Sequence, residues 1–198
     1  EINWLSRRAQ GGFGIITTAA THVSKHGQGW EGEFGVFNDK FIPSLTKLTH
    51  SIHRYEGLVF AQLFHGGIRS PETLTGMQPI SADRVECKES KSGYSIKASE
   101  DNIKRIIKEF TSAAVRCVNA GFDGVELHGA HGYLISQFLS KSINKRKDRW
   151  GGDLNGRSRF LIEIFKSIRK QVPENFIVGI RLSPEIKGLE ISLDDSLE

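Results

Sequence analysis

Residues 121–134 read Gly-Phe-Asp-Gly-Val-Glu-Leu-His-Gly-Ala-His-Gly-Tyr-Leu, and the rest of the chain arranges itself around them. Residues 122–128 have the length and apolar content of a short buried strand. At a period of two, Asp123, Val125 and Leu127 fall on one face and Phe122, Glu126 and His128 on the other. Just upstream, Ile103, Ile106, Ile107, Phe110, Ala113, Ala114, Cys117 and Val118 recur at spacings of three and four, which predicts an amphipathic helix over residues 99–120. Helix, glycine and strand make half of an α/β unit. The strand then runs into His128, Gly129, His131, Gly132 and Tyr133, poor material for a core. In parallel α/β folds ligands bind beyond the carboxyl ends of the strands, so this cluster is the candidate site.

The same unit recurs along the chain. Strands are expected at residues 13–21, 57–64, 122–128 and 176–182, each bounded by glycine, proline or a polar turn. Helices are expected at residues 3–10, from an Asp39 cap through Phe41, Ile42, Leu45, Leu48 and Ile52 to about Tyr55, at 99–120, and from an Asp153 cap through Phe160, Leu161, Ile164, Phe165 and Ile168. Two long connections remain: a glycine-rich one at 22–35, and one at 65–99 long enough to be functional or partly mobile. Strands separated by helices imply a parallel sheet with right-handed crossovers. Small or polar residues stand at successive strand ends: Ala20 and Thr21, Gln62, His128 and Arg181. That distribution predicts a partial (β/α)8 TIM barrel of about four central βα units, a single α/β domain over residues 1–198. No Gly-x-Gly-x-x-Gly follows a strand, which argues against a dinucleotide-binding sheet.

Composition narrows the function classes. With 198 residues, 38% apolar and 25% charged, the chain can bury a core of single-domain size. A net charge of +4 is mild, and the one dense basic run (Lys141, Lys145, Arg146, Lys147, Arg149) reads as a solvated loop without nucleic-acid motifs. Cys87 and Cys117 have no metal or redox spacing, and Cys117 lies on the apolar helix stripe as a buried thiol. With no membrane-length apolar run and no signal peptide, the default expectation is cytoplasmic, with no membrane or nucleic-acid partner. The chain starts at Glu1 and stops in a polar, helix-like stretch, so it reads as a piece of something longer.

His128 and His131 admit two chemistries. They could ligate a metal, with Glu126 or another loop supplying a third ligand, or donate paired hydrogen bonds to an oxygen that gains charge during reaction. In the second case Tyr133 would be a positioned proton donor. Gly129, Ala130 and Gly132 leave room for a ligand against the backbone. Gln62 offers both donor and acceptor at a strand end, and Arg181 is a fixed cation in an apolar strand that needs an anionic or electron-rich partner. A flavin ring meets both needs; an internal pair of Arg181 with Glu126 or Glu185 is the plainer alternative.

These residues add up to a resemblance. The sequence is similar to the Old Yellow Enzyme family of FMN-dependent ene-reductases and NADH:flavin oxidoreductases. The resemblance rests on Ser6-Arg7-Arg8-Ala9 with Gly14-Ile15-Ile16, Gln62-Leu63-Phe64-His65-Gly66-Gly67, the 121–134 stretch with Gln137-Phe138-Leu139-Ser140, residues Asn144, Arg146, Asp148, Trp150, Gly151, Gly152, Arg157, Arg159 and Phe160, and Arg181-Leu182-Ser183. It implies a non-covalent FMN, with Ala20 beside the ring, Gln62 on its pyrimidine edge and Arg181 near N1 and O2. His128 and His131 would hold the activating oxygen of an alkene, Tyr133 would protonate the α-carbon, and NADH or NADPH would be the reductant. A small-molecule substrate follows, and a homo-oligomer of the full-length parent is compatible. Ile68 stands where the family often has arginine, so Arg69, one residue later, receives no flavin role. Asp153 and Gly156 replace the family's usual serine and asparagine. The resemblance also places the family's first strand before Glu1 and its last three strands, with the flavin-phosphate site, after Glu198. The competing readings are a metal-dependent barrel enzyme and a non-catalytic remnant of the fold.

Overall fold

Helix and strand alternate as the apolar patterning requires, in a computed structural model that describes residues 1–198. Helix α1 (Ile2–Gln10) leads into strand β1 (Ile15–His22) and the short β2 (Phe34–Gly35). Helix α2 (Ile42–His53) precedes β3 (Leu58–Phe64). The long connection that follows holds one helical turn, α3 (Glu72–Thr75), and two short strands, β4 (Ile80–Ser81) and β5 (Ile96–Lys97). Helix α4 (Glu100–Asn119) then feeds β6 (Gly124–Gly129), and α5 (Leu134–Leu139), α6 (Leu154–Arg169), β7 (Ile177–Leu182) and α7 (Leu193–Leu197) complete the order.

The main sheet runs β2-β1-β3-β6-β7 and every pairing in it is parallel. The four long strands lie in chain order without reversal. A doubly wound sheet would reverse direction at a switch point, so this is barrel topology, and the chain forms a partial (β/α)8 barrel. Val59, Ala61, Leu63, Val125 and Leu127 share one buried cluster with Ile103, Ile106, Phe110, Ala113, Ala114 and Cys117 of α4. The alternate residues Gln62, Phe64, Glu126 and His128 therefore line the opposite, barrel-interior face. Strand register aligns Ala20, Gln62, Glu126 and Gly179 in one row, and His128 with Arg181 in the next.

Local chemistry sets the element ends. Ser99 caps α4 by accepting from the Asn102 N–H, and the Asn102 side chain returns the bond to the Ser99 N–H. The Asp153 carboxylate accepts from the Gly156 N–H at 2.9 Å and caps α6 as expected. Asp39 does not cap α2: Asn38 accepts from the Lys40 N–H, a 3-10 turn intervenes, and Asp39 pairs with Arg116 Nε at 2.6 Å. The alternation expected for residues 122–128 also fails at its start. The strand begins only at Gly124, so Phe122 drops into the apolar core and Asp123 turns to His53 and the Val59 N–H.

One further expectation needs correcting. The basic run is not wholly a solvated loop, because Arg146 is only 4% exposed. Its Nη1 donates to the carbonyls of Ala82 and Ala98 at 2.8 and 2.7 Å, and Nε and Nη2 grip Asp148 bidentately. Those carbonyls directly follow β4 and β5, so one guanidinium ties together the two paired strands of the 65–99 connection. Hydropathy cannot flag such a residue, because its acceptors are backbone groups distant in sequence.

Arg146→Met removes the guanidinium donor from both carbonyls and leaves the Asp148 carboxylate only the Trp150 N–H. It should cost about 3 kcal/mol, read as a lower urea midpoint. Arg146→Lys should recover little, because one ammonium cannot span both carbonyls and a bidentate carboxylate.

Candidate active site

Strand β6 delivers His128 to the carboxyl end of the sheet, and the turn after it sets His131 and Tyr133 alongside. The His128 ring lies 5.0 Å from that of His131 and 4.9 Å from that of Tyr133, centroid to centroid, both nearly perpendicular. Phe64, at the end of β3, packs edge-on against Tyr133 at 4.4 Å and completes the aromatic floor. Gln62 and Phe64 lie two apart on one strand, so period two places Phe64 at the site. It passes as core in the sequence because it is apolar.

Hydrogen bonding assigns the His128 tautomer. The Ala130 N–H donates to Nδ1 at 3.3 Å, so in the neutral ring the proton sits on Nε2, which is left as a donor. Burial, reinforced by the neighbouring charges of His131 and Arg181, pushes its pKa from 6.5 down to about 4. His128 is thus a neutral hydrogen-bond donor at physiological pH.

The histidine turn is strained and clamped. His131 adopts φ +58° and Gly132 φ +75°, the left-handed region that a residue with a Cβ rarely enters. The His131 N–H meets Ser183 Oγ at 3.4 Å, and its carbonyl accepts from Arg69 Nη1 at 3.1 Å. The Gly132 carbonyl accepts from Gln137 Nε2 at 2.8 Å. The same Nε2 donates to the Gly66 carbonyl at 3.2 Å, while Oε1 accepts from Ser81 Oγ and the Ile68 N–H at 3.0 and 3.3 Å. Gln137 is fully buried and has every donor and acceptor engaged. Gly67 faces this amide at φ +63°, and a Cβ there would collide with it.

The remaining expected residues fall on the same face. Ala20 is in register beside Gln62, whose Nε2 donates to Glu126 Oε1 at 2.6 Å while its carbonyl oxygen has no protein partner. Arg181 is exposed, joins no salt bridge, and places Nη2 3.5 Å from His131 Nε2. The internal pair with Glu126 or Glu185 is therefore not formed. Ala20, Gln62, Arg181, His128, His131 and Tyr133 thus share one end of the sheet. Small residues, Ala20 and Gly179, flank the Gln62 row, a Cβ built on Gly179 would meet only the Val125 carbonyl at 3.8 Å, and the Arg181 guanidinium supplies positive charge that no carboxylate neutralises. No group of three His, Cys, Asp or Glu side chains is placed to hold a metal ion. Glu126 is turned to Gln62 instead, so the metal reading gains no support from geometry.

The chain belongs to the NADH:flavin oxidoreductase / NADH oxidase family, which it matches over residues 1–190. It is 35% identical over 189 residues to the probable NADH-dependent flavin oxidoreductase YqiG of Bacillus subtilis, an alignment covering 93% of this chain and 50% of that protein. Against 12-oxophytodienoate reductase 1 of Oryza sativa subsp. japonica it is 37% identical over 193 residues, 94% of this chain and 50% of the relative. The solved Old Yellow Enzyme homologue of Zymomonas mobilis aligns with a TM-score of 0.87 at 30% identity, over 99% of this chain and 57% of the other. The chain therefore spans about half the length of these relatives. The family's cofactor is FMN and its reductant NAD(P)H. No helix is long and apolar enough to cross a membrane.

The low pKa of His128 carries a sign for stability. Because the folded value lies below 6.5, the unfolded chain takes up a proton first on acidification, so stability holds above that pH and falls between 6.5 and about 4. The full effect is about 3 kcal/mol, and the lowered values of His22, His26 and His65 act in the same direction. Urea midpoints measured across this range should drop with pH, and His128→Gln should flatten part of the slope.

Proposed function

We propose that this chain forms the acceptor half of the active site of an FMN-dependent oxidoreductase that reduces activated alkenes with NAD(P)H. The observation that carries the reading is the placement of a neutral, Nε2-protonated His128, His131 and Tyr133 beside an Arg181 that joins no salt bridge, at the strand ends. Bound FMN would supply the hydride relay from NAD(P)H to the acceptor carbon. Gln62 would bind the ring's pyrimidine edge through its free carbonyl oxygen and remaining N–H, and Ala20 would leave the ring its space. Arg181 would lie against the edge that becomes electron-rich on reduction.

His128 Nε2–H and His131 would hold the carbonyl or nitro oxygen of the acceptor. A neutral donor polarises that oxygen without giving up its proton, and the left-handed turn at His131 presents the second ring to the same point. Tyr133 would then donate the phenol proton to the α-carbon as the β-carbon receives hydride, and solvent would restore it. Phe64 holds the phenol ring edge-on and keeps water from one side of it.

Two measurements test this. FMN added to the purified chain, with the excess removed, should leave a visible flavin band that Arg181→Met weakens. In the FMN-loaded protein, Tyr133→Phe should slow reduction of an enone about 100-fold while leaving flavin reduction by NAD(P)H nearly unchanged. Equal slowing of both half-reactions would remove Tyr133 from the proton-donor role.

A further inference from the structure

Arg69 has no part in the chemistry just described, yet it sits against two of its residues. Nη1 donates to the His131 carbonyl at 3.1 Å, and the guanidinium carbon lies over the Tyr133 ring, 5.1 Å from its centroid. The cation joins no salt bridge, and its other N–H groups meet no protein acceptor. The turn that carries it is itself held. The Ile68 N–H is bound to Gln137 and the Ile68 carbonyl accepts from Cys87 Sγ at 3.0 Å. A long side chain that is usually loose on a surface is thus secured at its base, at one nitrogen and on one face.

Arg69 also lines a groove continuous with His131. Its walls are largely apolar, from Ile68, Ile186 and Leu189, with Ser183 at one side and the guanidinium as the charged feature. At about 440 Å³ the groove has room for a short acyl chain. A neutral apolar ligand would fill the walls but strip water from an unpaired cation, which costs free energy. A carboxylate would satisfy two of the idle N–H groups at once. The groove therefore discriminates by charge as well as by shape.

We propose that this groove is the subsite for the end of the acceptor remote from the histidine-bound oxygen, and that Arg69 makes it select acceptors carrying a carboxylate. The substrate class is an activated alkene with an acid group a few atoms from the double bond. The inference rests on the acceptor reading of His128, His131 and Tyr133 given above. It differs from a purely positioning role for Arg69, in which the guanidinium only holds the His131 carbonyl and is indifferent to ligand charge.

Binding separates the two. Calorimetric titration of the FMN-loaded protein with 4-oxopentanoate and with its methyl ester should show the acid binding about tenfold or more tightly. Arg69→Leu should remove that preference by weakening the acid alone, Arg69→Lys should keep part of it, and FMN content should not change. Equal weakening of acid and ester in Arg69→Leu would reduce Arg69 to a clamp on the histidine turn and overturn the proposal. No preference in the parent protein would overturn it as well. Turnover of methyl 4-oxo-2-pentenoate, a neutral enone, tests the alkene-reduction reading separately: its absence, with selective acid binding retained, would discard that chemistry and leave the Arg69 subsite standing.

Discussion

Four hydrogen bonds from one buried amide hold this site together. Gln137 reaches the Gly132 carbonyl in the histidine turn, the Gly66 carbonyl and Ile68 N–H in the turn after β3, and Ser81 in β4. The adjoining histidine turn and two segments distant in sequence are thereby fixed to α5, the short helix that directly follows Tyr133. A buried amide tolerates no partial solution, since each unmade bond would carry its desolvation cost. That all-or-none character holds His131 in a left-handed conformation that its side chain disfavours, with Arg69 on its carbonyl and Ser183 on its N–H fixing the peptides on either side. It also explains why Gly67, facing the amide, has no room for a side chain.

The electrostatics follow from the same closeness. Burial keeps the His128 imidazole neutral, and the neighbouring Arg181 adds to that preference. The alignment of His128 with Arg181 across β6 and β7 thus does two things: it brings a permanent cation to the strand ends and keeps the adjacent ring an uncharged donor. A hydrogen-bond donor that stays neutral through the physiological range polarises an oxygen without protonating it. The row beneath, from Ala20 through Gln62 and Glu126 to Gly179, is small at its flanks and polar at its centre, a shape suited to a flat ring with a polar edge.

Much of this was legible in the chain. Apolar spacing located α4 and α6, and Asp153 marks where α6 begins, because a cap satisfies backbone donors within a few residues. Parallel strands buried on one face announced themselves as apolar runs, and the polar residues ending them pointed to the site. The reading failed where a partner lies far along the chain. Asp39 has the look of a cap but answers Arg116, and Phe122 has the phase of the site face but packs into the core because the strand starts two residues later. Arg146 reads as one charge among several and is in fact buried between two backbone carbonyls.

What the sequence determines alone is thus local and periodic: element identity, helix starts, the barrel class, and a motif dense enough to carry a family. Tertiary structure decides which polar groups are satisfied and which remain free for a ligand. Arg146, Gln137 and Arg181 are all polar residues near apolar runs, and nothing in their spacing separates them. The first two find protein partners on every side, while Arg181 has only a long contact to His131 Nε2 and the outer N–H groups of Arg69 have none. The physical reason is that hydrogen-bond satisfaction is a property of three-dimensional neighbours. Only folding, which brings residues 66, 81, 132 and 137 to one point, distinguishes a structural polar group from one available for chemistry.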